Sequence, residues 1–156
     1  MELDKAKDIA RKVVKELEPF CDRIEVAGSV RRGKPFPRDI DIVLIPRDRA
    51  ALDQTLIGMG GHYKMAGMKI TRVEMDSIPL DIYFAIPETF ATLLLIRTGS
   101  TLNNIRLCSV AKKKGWHLAA SGEGLFDANR QRIAWKTEES IYEALGLPYQ
   151  RPEERG

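Results

Sequence analysis

The sequence predicts an α+β fold, with a small mixed sheet carrying helices on one face, followed by a mainly helical lobe with a little sheet. Three observations lead there. Apolar residues recur at helical spacing over residues 3–18, Ile40–Ile45 is a β-branched run bounded by Pro37 and Pro46, and the pattern turns from strands to helices near residue 87. That turn divides the chain into an expected first lobe, residues 1–87, and a second, residues 88–156.

Each element has a local reason. Leu3, Ala6, Ile9, Val13, Val14 and Leu17 form one helical stripe that Pro19 closes. Residues 23–27 alternate as a short strand that runs into Gly28-Ser29, where a turn is expected. Residues 40–45 read as the next strand and residues 49–58 as a helix, whereas the glycine-rich stretch 58–67 reads as a flexible connection. That stretch lacks the lysine and hydroxyl spacing of a phosphate-cradling P-loop. Lys69–Met75 and Leu80–Ala85 read as strands joined by a turn at residues 76–79.

In the second lobe, residues 88–98 form a helix with Pro87 near its start and Gly99 as its stop. Ser100 or Thr101 caps another helix, which runs to Lys114 with Leu102, Ile105, Cys108 and Ala111 on one stripe. Short strands are expected at 116–119 and 124–127, and Thr137 caps a last helix ended by Gly146 and Pro148.

Composition excludes several classes. With 44% hydrophobic and 30% charged residues the chain is neither disordered nor collagen-like. Two isolated cysteines, Cys21 and Cys108, form no disulfide framework or zinc site, and no apolar run is long enough to span a membrane. A soluble cytoplasmic monomer is expected. The net charge of +3 permits a polyanionic partner, and the cations gather at Arg31, Arg32, Lys34 and Arg38, at Lys112–Lys114, and at Arg130 with Arg132.

One constellation carries chemistry. Gly28-Ser29 ends a strand and leads to Arg31 and Arg32, and Asp39 and Asp41 follow in the next strand. A glycine lets backbone approach a phosphate, a serine hydroxyl and free amides bind its oxygens, and arginine offers them a planar fork. In a pleated strand, residues two apart share a face, so the carboxylates of Asp39 and Asp41 project together. Asp81, on another strand, supplies a third. Carboxylates beside a phosphate site suit magnesium, and two such ions support in-line nucleotidyl transfer. Asp39 and Asp41 would bridge both ions; Asp81 would hold only the ion at the primer terminus and help deprotonate the 3′-hydroxyl.

The motifs Gly28-Ser-Val-Arg-Arg-Gly33, Asp39-Ile-Asp41, Leu80-Asp-Ile-Tyr83, Arg97-Thr-Gly-Ser100 with Asn104, and the tail from Gly124 through Leu145-Gly-Leu-Pro148 resemble the family X DNA polymerases. The resemblance covers nearly the whole chain. It implies a polymerase beta-like nucleotidyltransferase palm followed by a small C-terminal subdomain that closes over the nascent pair. It implies metal ligation by Asp39, Asp41 and Asp81, with two Mg2+ ions that Mn2+ could replace. Nucleotide contacts are implied for Gly28, Ser29, Arg32, Arg38, Arg97, Gly99, Ser100 and Asn104, with Arg32 rather than Arg31 on the triphosphate and Asn104 on the minor-groove side of the base.

The chain departs from the family at its sugar wall, where an aromatic pair usually precedes the Thr-Gly motif and Ile96-Arg97 stands here. Thr101 replaces an acidic residue and Cys108 an arginine that meets the template. The expected function is DNA-directed addition of deoxynucleotides to a primer 3′ end, on primer–template or gapped DNA, in short-gap repair. The alternatives are a template-independent or ribonucleotide-tolerant terminal transferase and, last, a non-catalytic nucleic-acid binding module.

Overall fold

The computed structural model describes residues 1–156. The chain runs through α1 (Leu3–Leu17), β1 (Cys21–Ala27), α2 (Gly28–Arg31), β2 (Ile40–Pro46), α3 (Arg49–Gly58), β3 (His62–Ala66), β4 (Ile70–Met75) and β5 (Ile78–Phe84). It continues through α4 (Phe90–Thr98), α5 (Thr101–Lys113), β6 (His117–Ala119), β7 (Gly124–Phe126), β8 (Arg132–Ala134) and α6 (Glu138–Ala144). The α+β class read from the sequence is the class observed.

The first lobe is a five-stranded sheet in the order β1-β2-β5-β4-β3. Only β2 and β5 run parallel, because the crossover through α3, β3 and β4 separates them; the other pairs are antiparallel. Period-two alternation assigns the faces. Ile40, Ile42 and Leu44 of β2, with Leu80 and Ile82 of β5, pack against Ala6, Ala10, Val13 and Leu17 of α1 and Leu52 and Leu56 of α3. The opposite face presents Val43, Ile45, Tyr83 and Ala85 to Phe90, Leu93 and Leu94 of α4.

A second core joins Leu95 and Ile96 of α4 to Leu107 and Ala111 of α5, Leu118, Leu125 and Ala134 of the small sheet β6-β7-β8, and Ile141 and Tyr142 of α6. Thus α4 serves both cores, its first two turns on the large sheet and its last turn in the second lobe.

Four local readings are corrected. The stretch 58–67 is not all connection, since β3 lies within it and pairs with β4 through His62↔Glu74 and Tyr63↔Val73. Its side chains are mostly exposed, so no alternation marked it, and β4 is what orders it. β8 likewise carries too short a pattern to be read alone. Gly28-Ser29 opens the one-turn helix α2 rather than a simple turn. The α5 stripe is also rotated: Leu102 and Ile105 are 78% and 57% exposed, while Asn103, Leu107 and Ala111 are buried. The Asn103 amide donates to the Tyr142 hydroxyl at 3.1 Å, so a satisfied polar group occupies the inner face and two apolar side chains face out.

Candidate active site

The parallel register of β2 and β5 sets Asp41 directly beside Asp81, and Asp39 immediately precedes β2. Gly28 is required here by sterics. Its φ is +62°, and a Cβ at this position would stand 2.9 Å from the Asp41 Cγ. The backbone of α2 therefore lies against the carboxylate with no side chain between them.

The strand–helix junction opens a cleft of about 350 Å³ lined by Gly28, Ser29, Arg32, Asp39, Asp41 and Tyr83 from the first lobe. The second lobe contributes Ile96, Arg97, Thr98, Gly99, Thr101 and Asn104. Of the residues singled out from the sequence, Gly28, Ser29, Arg32, Asp39, Asp41, Arg97, Gly99 and Asn104 meet in this cleft. Asp81, Arg38 and Ser100 are not in its lining. Ser100 instead caps α5, its hydroxyl accepting from the Asn103 backbone at 3.2 Å.

The carboxylates oppose one another electrostatically. Burial pushes the Asp41 carboxyl up to about 7, the charges of Asp39 and Asp81 add to the rise, and Arg97 and Arg32 partly offset it. Asp39 is also raised, by burial and then by Asp81, against the opposing charges of Arg72 and Arg38. Asp81 is only 5% exposed and is held by Arg72 of the neighbouring strand, whose Nε and Nη2 donate at 2.7 and 3.3 Å. No group of three or more acidic, histidine or cysteine side chains is assembled closely enough to hold a metal ion.

The arginine pair divides its work. Arg31 donates to both carboxylate oxygens of Glu138 in α6, at 2.8 and 2.6 Å, and to the Thr98 hydroxyl at 2.8 Å. Arg32 reaches the Thr98 carbonyl at 2.6 Å and leaves its Nε buried without a partner. Its guanidinium also lies against Gly99, where φ is +74° and the peptide to Ser100 is cis. Arg97 stacks on the Tyr83 ring, 4.3 Å from its centroid. The Asn104 amide donates to the Ile96 carbonyl at 2.8 Å, and its Oδ1 is buried with no partner.

Sequence reading missed Arg72, Glu138 as the partner of Arg31, and Arg155. Arg155 is 1% exposed and donates to Glu138 at 2.7 Å, which ties the end of the chain to the lobe junction. Lone arginines on a strand and a tail carry no pattern, so only the register and the tail's return could reveal them. Lys112–Lys114, Arg130 and Arg132 are exposed and outside the cleft; Arg132 stacks on Trp135 at 4.0 Å. His62 and His117 are exposed on β3 and β6.

Residues 93–156 match the family DNA polymerase beta thumb. The chain is 25% identical to the DNA polymerase/3′-5′ exonuclease PolX of Bacillus subtilis across 94% of its own length and 27% of that protein. It is 27% identical to rat DNA polymerase lambda across 82% of this chain and 28% of that one. Repair DNA polymerase X of African swine fever virus is 27% identical, with 85% of this chain and 80% of the viral protein aligned. The chain thus spans about a quarter of the first two relatives. No helix is long and apolar enough to cross a membrane. With a thumb match in its second lobe, and three polymerases aligning over more than four fifths of its length, the chain is similar to the family X DNA polymerases.

Proposed function

We propose that this chain adds nucleotides to the 3′ end of a DNA primer, taking deoxynucleoside triphosphates into the cleft between its lobes. The observation that carries this reading is the parallel register that pairs Asp41 with Asp81 beside a cleft lined by Ser29 and Arg32. Serine hydroxyl and guanidinium suit phosphate oxygens, and the carboxylates of Asp39 and Asp41 line the same cleft beside them.

The donor set fits divalent magnesium. Asp39 and Asp41 carry oxygen donors whose proton affinity is raised by burial and by neighbouring carboxylate charge, a tension that a hard cation relieves. Asp81 would complete the set by turning from Arg72. Magnesium bound there would screen the triphosphate and stabilise charge on the attacking and leaving oxygens. The protein's own part is placement. Arg32 meets the triphosphate, Gly99 lets the sugar approach the backbone, and Asn104 offers polar atoms to the base edge. Asp81 accepts the proton of the primer hydroxyl. Short-gap repair and use of a template belong to the same reading, supported by the relatives named above.

The primary test is extension of a labelled primer, alone, on a template and in a gapped duplex, with single dNTPs or NTPs and magnesium. No addition to any of these by folded protein would sink the proposal. A second reading, tolerance of ribonucleotides, rests on Arg97. Its guanidinium lies over the Tyr83 ring, and the side chain brings no aromatic wall of its own to the sugar. Preference for dNTP over NTP should be weak, and Arg97→Phe should strengthen it about tenfold, in the range of one steric or unpaired-polar penalty. Strong preference in the native protein, unchanged in Arg97→Phe, would assign sugar selection to the backbone at Thr98 and Gly99.

A further inference from the structure

The loop joining α2 to β2 carries Phe36, which at 73% exposure is the most exposed aromatic residue of the protein. The ring is not out in solvent because the loop is loose. Backbone hydrogen bonds of 3.0 Å tie Gly33 to the Val30 carbonyl, Lys34 to the Ser29 carbonyl, and the Leu3 amide to the Pro35 carbonyl. Pro35 and Pro37 restrict φ on either side, and Pro37 is buried. A pinned loop therefore presents a bare ring.

Its neighbours are cations. Lys34 and Arg38 flank the ring in sequence, and neither enters any of the protein's ion pairs. Arg38 immediately precedes Asp39 in the chain, so the loop ends at the carboxylates. A single apolar ring between free cations is far too small for a stable protein interface, which needs about 800 Å² on each partner. It does match the two features by which single strands are held: a face for a base and positive charge for the phosphates on either side.

We propose that Phe36 stacks on a base of single-stranded nucleic acid passing the carboxylate edge of the cleft, with Lys34 and Arg38 meeting the flanking phosphates. This contact goes beyond the transfer reaction and needs neither metal nor triphosphate.

The test is fluorescence anisotropy with labelled twelve-residue oligothymidine, its oligouridine counterpart, and an abasic oligomer of equal length, without divalent metal or nucleotide. The native protein should prefer bases to the abasic chain. Phe36→Ala should weaken oligothymidine binding about tenfold, within the range for one base stacked on an aromatic ring, and leave abasic binding unchanged; Phe36→Tyr should bind like the native protein. Lys34→Ala with Arg38→Ala should lower the salt slope by about 1.4, or 0.7 for each single-strand phosphate that is no longer neutralised. Equal oligouridine binding would define the ligand as single-stranded nucleic acid of either sugar, and weaker binding would restrict it to DNA. Absence of oligothymidine binding, no effect of Phe36→Ala, or equal weakening on the abasic chain would overturn the proposal. Inactive protein that keeps base-dependent binding would separate failure of the transfer reaction from failure of this stacking.

Discussion

Two charged clusters lie within the same fold, and they are built in opposite ways. At the lobe junction, Glu138 sits between Arg31 and Arg155, and every carboxylate charge is answered. Burial pushes the Glu138 carboxyl up, but hydrogen bonds and charge from Arg31, with the charge and hydrogen bond of Arg155, hold it below the usual range. On the central strands, burial and neighbouring carboxylate charge raise the proton affinity of Asp39 and Asp41, with only partial relief from Arg72, Arg97 and Arg32. A satisfied cluster fixes how α6 and the tail meet α2. An unsatisfied one leaves binding energy for a ligand, because its strain is relieved only when positive charge arrives.

The sharpest way to break this contrast is to neutralise one member of each cluster. Asp39→Asn or Asp41→Asn should abolish nucleotide addition, a loss of at least about a thousandfold, since each would remove charge that holds metal against the triphosphate. Asp41→Asn should melt no lower than the native protein without metal, because it removes repulsion. Glu138→Ala should act conversely, losing about 3 kcal/mol of stability by leaving two arginines without their partner. Primer extension beside denaturant unfolding measures both. Full activity in folded Asp41→Asn would remove that residue from the site, and native stability in Glu138→Ala would show the junction is not held by charge.

Arg72 tests whether the third carboxylate is truly held by a removable cation. Arg72→Ala should lower the melting temperature in a chelator, because it leaves the buried Asp81 carboxylate without its partner. Magnesium should then stabilise the variant more than the native protein, because Asp81 no longer has a competing guanidinium. Identical magnesium responses would separate Asp81 from the ion site.

The smallest effect is in pH, where the clusters should give slopes of opposite sign. The folded Asp41 value, about 7, exceeds its ordinary 3.8, so its contribution to stability is full below about 4 and is lost as pH rises through about 7. Glu138 lies below its ordinary 4.5, so its contribution is present above that value and is lost as pH falls through the lowered one. Melts of metal-free protein from pH 8 to 5 should show a rise that Asp41→Asn removes. Melts below pH 4.5 should show a fall that Glu138→Gln removes. A metal-free stability curve flat from pH 5 to 8 would contradict the frustrated cluster.

The helices α1, α3, α5 and α6 and the strands β2 and β5 were legible in the chain because each carries its own period, cap or stop: the Leu3-to-Leu17 stripe, the prolines around Ile40–Ile45, Ser100, Thr137 and Gly146. The order Gly28-Ser29, Asp39, Asp41, Asp81 was legible for the same reason, since spacing along a strand dictates which side chains share a face. Edge strand β3 was not, because a mostly exposed strand shows no alternation and exists only where β4 offers hydrogen bonds.

Nor could the sequence assign the inner face of α5. Leu102 and Ile105 look like core residues until Tyr142, 39 residues beyond Asn103, supplies the hydroxyl that lets an asparagine take the inner face. The same limit holds for charge. Arg31 and Arg32 are adjacent and chemically alike, yet one is committed to Glu138 and the other leans into the cleft. The sequence by itself determined most of the elements, the fold class and the order of the acidic and basic motifs, all of which depend on neighbours within a few residues. Only the tertiary structure decided which cation answers which carboxylate, because those partners lie far apart along the chain and are brought together by strand register and lobe packing.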